Sequence, residues 1–332
     1  GIRRGVVGGE GSEIPQVAKD ADGYGRTIFG IARQDYGLDV VGCEQDDSDL
    51  YGADGLLGEG CCRVFRVGLI MLIDTHSHIY EPEFDSDRAQ ALQRCLESDV
   101  QLLMLPAIDK ESYERMFELV RQYPQMMRPM MGLHPTSINE NPVWREDLAR
   151  VEEYLHHPPQ GIERFWGVGE IGLDFYWSND YREQQMEAFE AQIEMALKYN
   201  LPIAVHTRSA WTEMCEVMER FAGRGVRGVF HAFSDDVESY RRLKKCGDFL
   251  FGVGGVVTFK KSKLAEVVKQ MDLEDIILET DCPYLTPVPH RGERNESSYV
   301  KFVCAKVAEL KEIDYQVVAE QTTANVKRIF KL

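Results

Sequence analysis

No run of apolar residues in this 332-residue chain approaches the ~20 that a membrane-spanning helix requires. The eight cysteines (Cys43, Cys61, Cys62, Cys95, Cys215, Cys246, Cys282 and Cys304) form no C-x-x-C pair, and no charged-then-apolar leader precedes them. These absences argue against a membrane protein and read as reduced thiols in a cytoplasmic one. Basic residues are in the minority, 38 Lys and Arg against 55 Asp and Glu, for a net charge of -17. Broad, sequence-independent wrapping of nucleic acid needs a basic face to displace counterions, so that class is disfavoured. A nuclease is not, because bound divalent cations supply positive charge locally. A dinucleotide fingerprint is missing too: "GGEGSE" and "GEGCCR" lack both the G-x-G-x-x-G spacing and a preceding strand.

Composition shifts near residue 70. Residues 1–70 hold 15 of the 28 glycines and acidic tracts such as "CEQDDSDLYGADG", with no sustained helical or alternating pattern. That favours a loose, Gly-rich, poorly ordered N-terminal extension, a tag or an over-long start. A compact unit is expected to begin at Met71, just before the first convincing strand.

From Met71 a rhythm of short apolar runs and amphipathic stretches sets in. The runs are "MLID", "LLMLP", "MMRPMMGL", "FWGVGEIGL", "PIAVH", "GVFHAF", "FLFGVGG" and "DIILETD". Helical spacing fills 85–98, 110–123, 144–156, 181–199, 210–221, 236–245 and 262–271, and a pair at 299–310 and 315–330 closes the chain. Eight strands alternating with helices predict parallel βαβ units. The 262 residues of 71–332 match the ~250 of a (β/α)8 TIM barrel. An open doubly wound sheet is the alternative, but it would usually show a Gly-rich loop after its first strand.

In such a barrel, catalytic groups sit at the C-terminal ends of the strands. In "IDTHSH", His76 and His78 are two apart, so an extended backbone aims both imidazoles to one side. Taken alone, such a pair is more often two polar residues on a solvated strand end. However, His134 follows run three, Glu170 lies near the end of run four, His206 ends run five, His231 falls in run six and Asp281 closes run eight. His156 and His157 fall in a polar helix end and read as solvated. Neutral imidazoles with carboxylates bind borderline divalent cations. Setting His134 aside, four histidines and two carboxylates exceed what one ion takes, which points to two cations, with a carboxylate such as Glu170 able to bridge them. Asp74 and Glu279 read as groups that orient neighbours or cap loops and do not bind metal.

These residues, with "LIDTHSH", "GLHP", "GEIGLD", "PIAVHTR", "FHAFS", "ETDCPYLTPVPHRGERNE" and "TTANVKRIF", give residues 71–332 a specific likeness. The unit resembles the TatD-family metal-dependent deoxyribonucleases, a branch of the amidohydrolase-like barrels. The resemblance implies a (β/α)8 barrel of the metal-dependent hydrolase type, a divalent pair (Mg²⁺, Zn²⁺ or Mn²⁺), and cleavage of DNA from the 3′ end in repair or turnover, on single strands or 3′ termini. It assigns His76, His78, Glu170 and Asp281 to one ion, and Glu170, His206 and His231 to the other. Asp281 would also hold the attacking water and accept its proton. Relatives that bridge metals through a modified lysine are disfavoured, since the fourth strand offers Glu170 and no Lys. For substrate phosphates the candidates are Arg208, Arg291 and His134. The same ions could serve a hydrolase of small-molecule or aminoacyl esters or amides, the alternative reading. The chain departs from the family pattern at Tyr80, Ser209, Ala232 and Asp235, none of them a ligand.

Overall fold

A computed structural model describes residues 28–34, 37–43, 65–67 and 71–332. Internal contacts divide the chain into Gly1–Ile70 and Met71–Leu332. In the first unit, where no strand was expected, β1 (Ile28–Gln34) pairs antiparallel with β2 (Gly37–Cys43), and β2 with β3 (Phe65–Val67). The β-branched residues of "IFGI" and "DVVG" suit extended backbone, but each run is short and set among glycines, which hid the signal. The remainder of the expected loose extension lies outside the described residues.

The second unit is an eight-stranded parallel (β/α)8 barrel. Its strands are β4 (Leu72–Asp74), β5 (Val100–Pro106), β6 (Met127–Met130), β7 (Val168–Asp174), β8 (Ile203–Arg208), β9 (Arg227–Phe230), β10 (Asp248–Val253) and β11 (Ile276–Leu278). They pair in parallel as β4–β5–β6 and β7–β8–β9–β10–β11. Two narrow seams close the ring. Met131 bridges Val168, joining β6 to β7, and Ser77 bridges Cys282, where Thr75 N donates to Leu278 O at 3.1 Å and His78 N to Cys282 O at 2.9 Å.

The helices are α1 (Arg88–Glu97), α2 (Lys110–Gln122), α3 (Trp144–His156), α4 (Arg182–Tyr199), α5 (Trp211–Arg220), α6 (Val237–Lys244), α7 (Leu264–Val268), α8 (Val300–Lys311) and α9 (Tyr315–Phe330). Local chemistry sets several starts. Asp109 and Ser112 form a reciprocal capping box on α2, and Asp236 accepts the Ser239 N–H at the head of α6. Helix α7 is half the expected length, because the backbone from Lys269 to Met271 closes in turns and not in a further helical repeat.

One core cluster takes Ile73, Met104, Met130, Ala204, Val229, Leu250 and Ile277 from seven of the strands, and Val326, Ile329 and Phe330 from α9. The closing helix therefore plugs the N-terminal mouth, where Asn325 donates to Leu273 O and Ile276 O and Thr323 to Met71 O. The C-terminal mouth is left for the polar groups. Among the described residues no helix is long and apolar enough to cross a membrane. Of the described cysteine side chains, Cys95, Cys215, Cys246, Cys282 and Cys304 are free and buried.

Charged clamps tie the segment after β11 to α1. Arg294 holds Asp87 through two bonds of 2.6 and 2.8 Å, and Arg94 joins Asp87 to the buried Glu296. The Arg294 bonds hold the Asp87 carboxyl down, from the ordinary 3.8 to about 2. A depressed acid contributes stability above its unfolded value and loses it as pH falls, here between about 4 and 2. Asp87→Asn should flatten the acid limb of the unfolding midpoint against pH, measured in urea. The change should stay below about 1 kcal/mol because the pair is partly open to solvent.

Candidate metal centre

Five elements deliver their polar residues to one point inside the C-terminal mouth. His76, His78, Glu170 and His231 are buried, and Asp281 and His206 are partly open to a cavity of about 710 Å³. His76 Nε2 lies 3.1 Å from His78 Nε2 and 3.2 Å from Glu170 Oε2. Asp281 Oδ1 is 3.5 Å from His78 Nε2 and 3.8 Å from His76 Nε2. The other Glu170 oxygen, Oε1, faces His231 Nε2 at 2.8 Å and His206 Nδ1 at 2.9 Å. The two carboxylate oxygens thus address two separate groups of nitrogens.

The tautomers follow from neighbours outside this cluster. The Tyr80 hydroxyl has one proton, given to Pro106 O at 2.6 Å, so His78 Nδ1, 2.8 Å away, must donate to it. His78 Nε2 is then a bare lone pair. In the same way His206 donates from Nε2 to Asp174 Oδ2 at 3.0 Å, which leaves Nδ1 bare toward Glu170. Bare imidazole nitrogens packed against carboxylate oxygens, away from water, oppose one another unless a proton or a cation stands between them. A divalent ion takes imidazole nitrogens and carboxylate oxygens, and three triads here, His76–His78–Glu170, His76–His231–Asp281 and His134–Glu170–His206, each hold their ligand atoms within 4.8 Å of one another. The residues present fit the metal. His134 differs. Its Nδ1 accepts the Thr136 N–H at 3.2 Å, so in the neutral ring the proton sits on Nε2, 3.4 Å from Glu170 Oε1. Burial lowers its pKa and favours that neutral form. His134 is accordingly a hydrogen-bond donor to the site and not a ligand.

Charge within the cluster is strongly coupled. Burial alone would raise Glu170, but the imidazoles of His231, His76 and His134 hold it well below the carboxylate range. Burial would lower His231, yet Glu170 and then Glu279 carry it well above the ordinary imidazole value. Burial likewise opposes His78, which Asp281 and Glu170 leave raised, while burial and the neighbouring His231 leave His76 lowered.

The surroundings answer why the chain folds this way locally. Asp74 accepts both Thr280 N at 2.9 Å and Thr280 Oγ1 at 2.6 Å, pinning the turn that carries Asp281. Burial pushes this carboxyl up to about 7. Run eight leaves its ladder after Leu278, so Asp281 sits in a left-handed turn (φ 57°) three residues past the strand. Glu279 accepts the Ala232 N–H, and its room exists because residue 252 is glycine: a Cβ there would meet Glu279 Oε2 at 2.1 Å. Gly172 does the same between Glu170 and Asp174, where a Cβ would meet His206 O at 2.0 Å and φ is 144°.

Sequence reasoning passed over Asp174, although its place four residues after Glu170 in one strand was a signal for a shared face. It also left Tyr80 without explanation. Tyr80→Phe should keep the ring and lose the acceptor for His78 Nδ1, lowering metal affinity by about 10- to 100-fold. Titration calorimetry on metal-stripped protein measures this, with unchanged circular dichroism as the folding control.

Of the substrate candidates, His134 and Arg208 line the cavity and Arg291 does not; it is exposed, with its guanidinium 4.2 Å over Phe259. Among the other departures, Ala232 lines the cavity in a left-handed turn (φ 44°). Asp235 is turned away, accepting the Ser239 hydroxyl on α6, and Ser209 occupies a left-handed turn (φ 55°). His156 and His157 are exposed at the end of α3.

Comparison with known proteins identifies the family. The family model described as "TatD related DNase" matches residues 73–331. The metal-dependent hydrolase YabD of Bacillus subtilis is 35% identical over 263 residues, covering 79% of this chain and 100% of the relative. YcfH of Escherichia coli K12, also a metal-dependent hydrolase, is 30% identical over 79% of this chain and 97% of its own length. The crystal structure of the TatD homologue YjjV from Escherichia coli K12 superimposes with a TM-score of 0.72 at 27% identity, covering 80% of this chain and 99% of that one. The chain is a metal-dependent hydrolase and belongs to the TatD related DNase family.

Proposed function

We propose that this protein hydrolyses phosphodiester bonds of DNA, removing nucleotides from the 3′ end, with two divalent cations held by His76, His78, Glu170, Asp281, His206 and His231. The observation that carries this reading is the division of Glu170: Oε2 faces His76 and His78, and Oε1 faces His206 and His231. A pair of bound divalent cations supplies an acidified water and neutralises the phosphate charge of an in-line displacement. The chain's own groups do the rest. Asp281, at the edge of the cavity, accepts the proton of the attacking water. His134 Nε2–H and Arg208 orient phosphate oxygens, since both line the same cavity. Asp174 and Tyr80 keep His206 and His78 turned with a free nitrogen inward.

The test is to incubate the purified protein with 5′-labelled single-stranded DNA and Mg²⁺, Mn²⁺ or Zn²⁺, with and without EDTA. The expected result is a ladder shortening from the 3′ end that EDTA abolishes. Intact DNA under all three metals, together with hydrolysis of small carboxylic esters, would overturn the nuclease reading in favour of an ester or amide substrate. Elemental analysis of the same preparation gives the identity and number of the ions.

A further inference from the structure

Beside the metal centre, Asp174 and Arg208 join a group of side chains that reaches beyond the metal ligands. Asp174, which holds His206 through Oδ2, accepts the Tyr176 N–H through Oδ1 at 3.0 Å. One carboxylate therefore sets both a ligand histidine and the start of the loop after β7. Two aromatic residues follow at once, Tyr176 and Trp177, 55% and 68% exposed, their rings nearly perpendicular with centroids 4.9 Å apart. Arg208 reaches them from β8, two residues past His206, with its guanidinium 3.7 Å over the Tyr176 ring and 5.5 Å from that of Trp177. Among the described residues no carboxylate lies within 4.0 Å of Arg208, so its face is taken by Tyr176 and its N–H edges remain open. Trp177 and Arg208 both line the cavity that ends on Glu170 and Asp281.

Charge sharpens the point. Among the described residues Arg208 is the sole Lys or Arg lining that cavity, and the chain carries -17 overall. Beyond the cations and Arg208, the described lining offers a polynucleotide no further Lys or Arg phosphate contact, so another source of affinity adds to binding. Every base has a π-face, and exposed aromatic rings supply that affinity without a basic surface. Resting on the nuclease reading, we propose that Trp177, braced by Tyr176 and Arg208, is a stacking subsite for an unpaired nucleobase at the end of the substrate strand, with the Arg208 N–H edges on a neighbouring phosphate.

The experiment compares wild type, Trp177→Ala and Trp177→Phe on two labelled strands, one intact and one abasic at its last two 3′ positions. Trp177 is exposed, so both variants should fold. On the intact strand Trp177→Ala should raise KM by about 5- to 100-fold while kcat changes little, and Trp177→Phe should recover most of the loss. Wild type on the abasic strand should show a comparable KM increase, to which Trp177→Ala adds little. The salt dependence of KM should be shallow, with a logarithmic slope near that of one phosphate, about 0.7. Equal KM for wild type and Trp177→Ala on the intact strand, or an equal loss on both strands, overturns the subsite. If wild type cuts intact and abasic strands alike, the subsite falls and the nuclease reading stands. If wild type cuts neither strand with any of the three metals and hydrolyses esters, both fall together.

Discussion

Glu170→Gln is expected to abolish hydrolysis while leaving the barrel folded. The amide preserves shape but removes the one negative charge that both groups of nitrogens share, and it brings N–H donors against ligand lone pairs. Loss of a single preorganised electrostatic group at a reacting centre costs about 10²–10³-fold. Glu170 faces His76 and His78 with one oxygen and His206 and His231 with the other, so its loss should exceed that range. Metal content, read by elemental analysis after dialysis, should fall with it. Glu170 is buried among imidazoles whose charge it compensates, so the variant should also lose the force that raises His231. Metal content at the wild-type level with activity within tenfold would remove Glu170 from the centre.

Asp281→Asn separates proton transfer from metal binding. Asp281 lies in the left-handed region at φ 57°, which asparagine tolerates as well as aspartate, so the turn should survive the change. Its carboxylate lies 3.5 Å from His78 and 3.8 Å from His76, within 4.8 Å of His231, and its side chain is 16% exposed against 4% for Glu170. Loss of a general base lowers kcat by about 10²–10⁴-fold. Metal content should fall by no more than one equivalent, because the His206 and His231 side of Glu170 is untouched, and KM for single-stranded DNA should change little. A kcat within tenfold of wild type would assign the proton to another group. Loss of all metal would make Asp281 a structural ligand for the whole centre.

Periodicity carried much of this architecture. Helices 144–156 and 315–330 end where the amphipathic spacing ends, and each of the eight apolar runs holds a strand. These signals are local: a strand buried on both faces must be apolar throughout, and a helix on the barrel's outside must be apolar on one side only. The six ligand candidates were legible for the same reason, since a buried polar residue at a strand exit breaks an apolar run. What stayed illegible depended on contacts between distant segments. Tyr80 reads as an ordinary aromatic until Pro106 O, 26 residues away, takes its proton and turns it into the acceptor for His78. Asp174 reads as the polar end of a strand until β8 brings His206 within 3.0 Å. Arg291 shares the motif of a phosphate contact, yet the loop after β11 lays it over Phe259, outside the cavity wall.

The sequence by itself thus determined the repeating βα unit, the count of eight and the kinds of atom at the mouth, because hydrophobic period and residue chemistry are properties of neighbours along the chain. The tertiary structure alone decided which nitrogen of His78 and of His206 is free, how Glu170 divides its two oxygens, and that two exposed aromatic rings and an arginine with no carboxylate partner among the described residues stand beside the cluster. A tautomer is set by the partner of the other ring nitrogen, and for His206 that partner, Asp174, is a separate strand away in the fold.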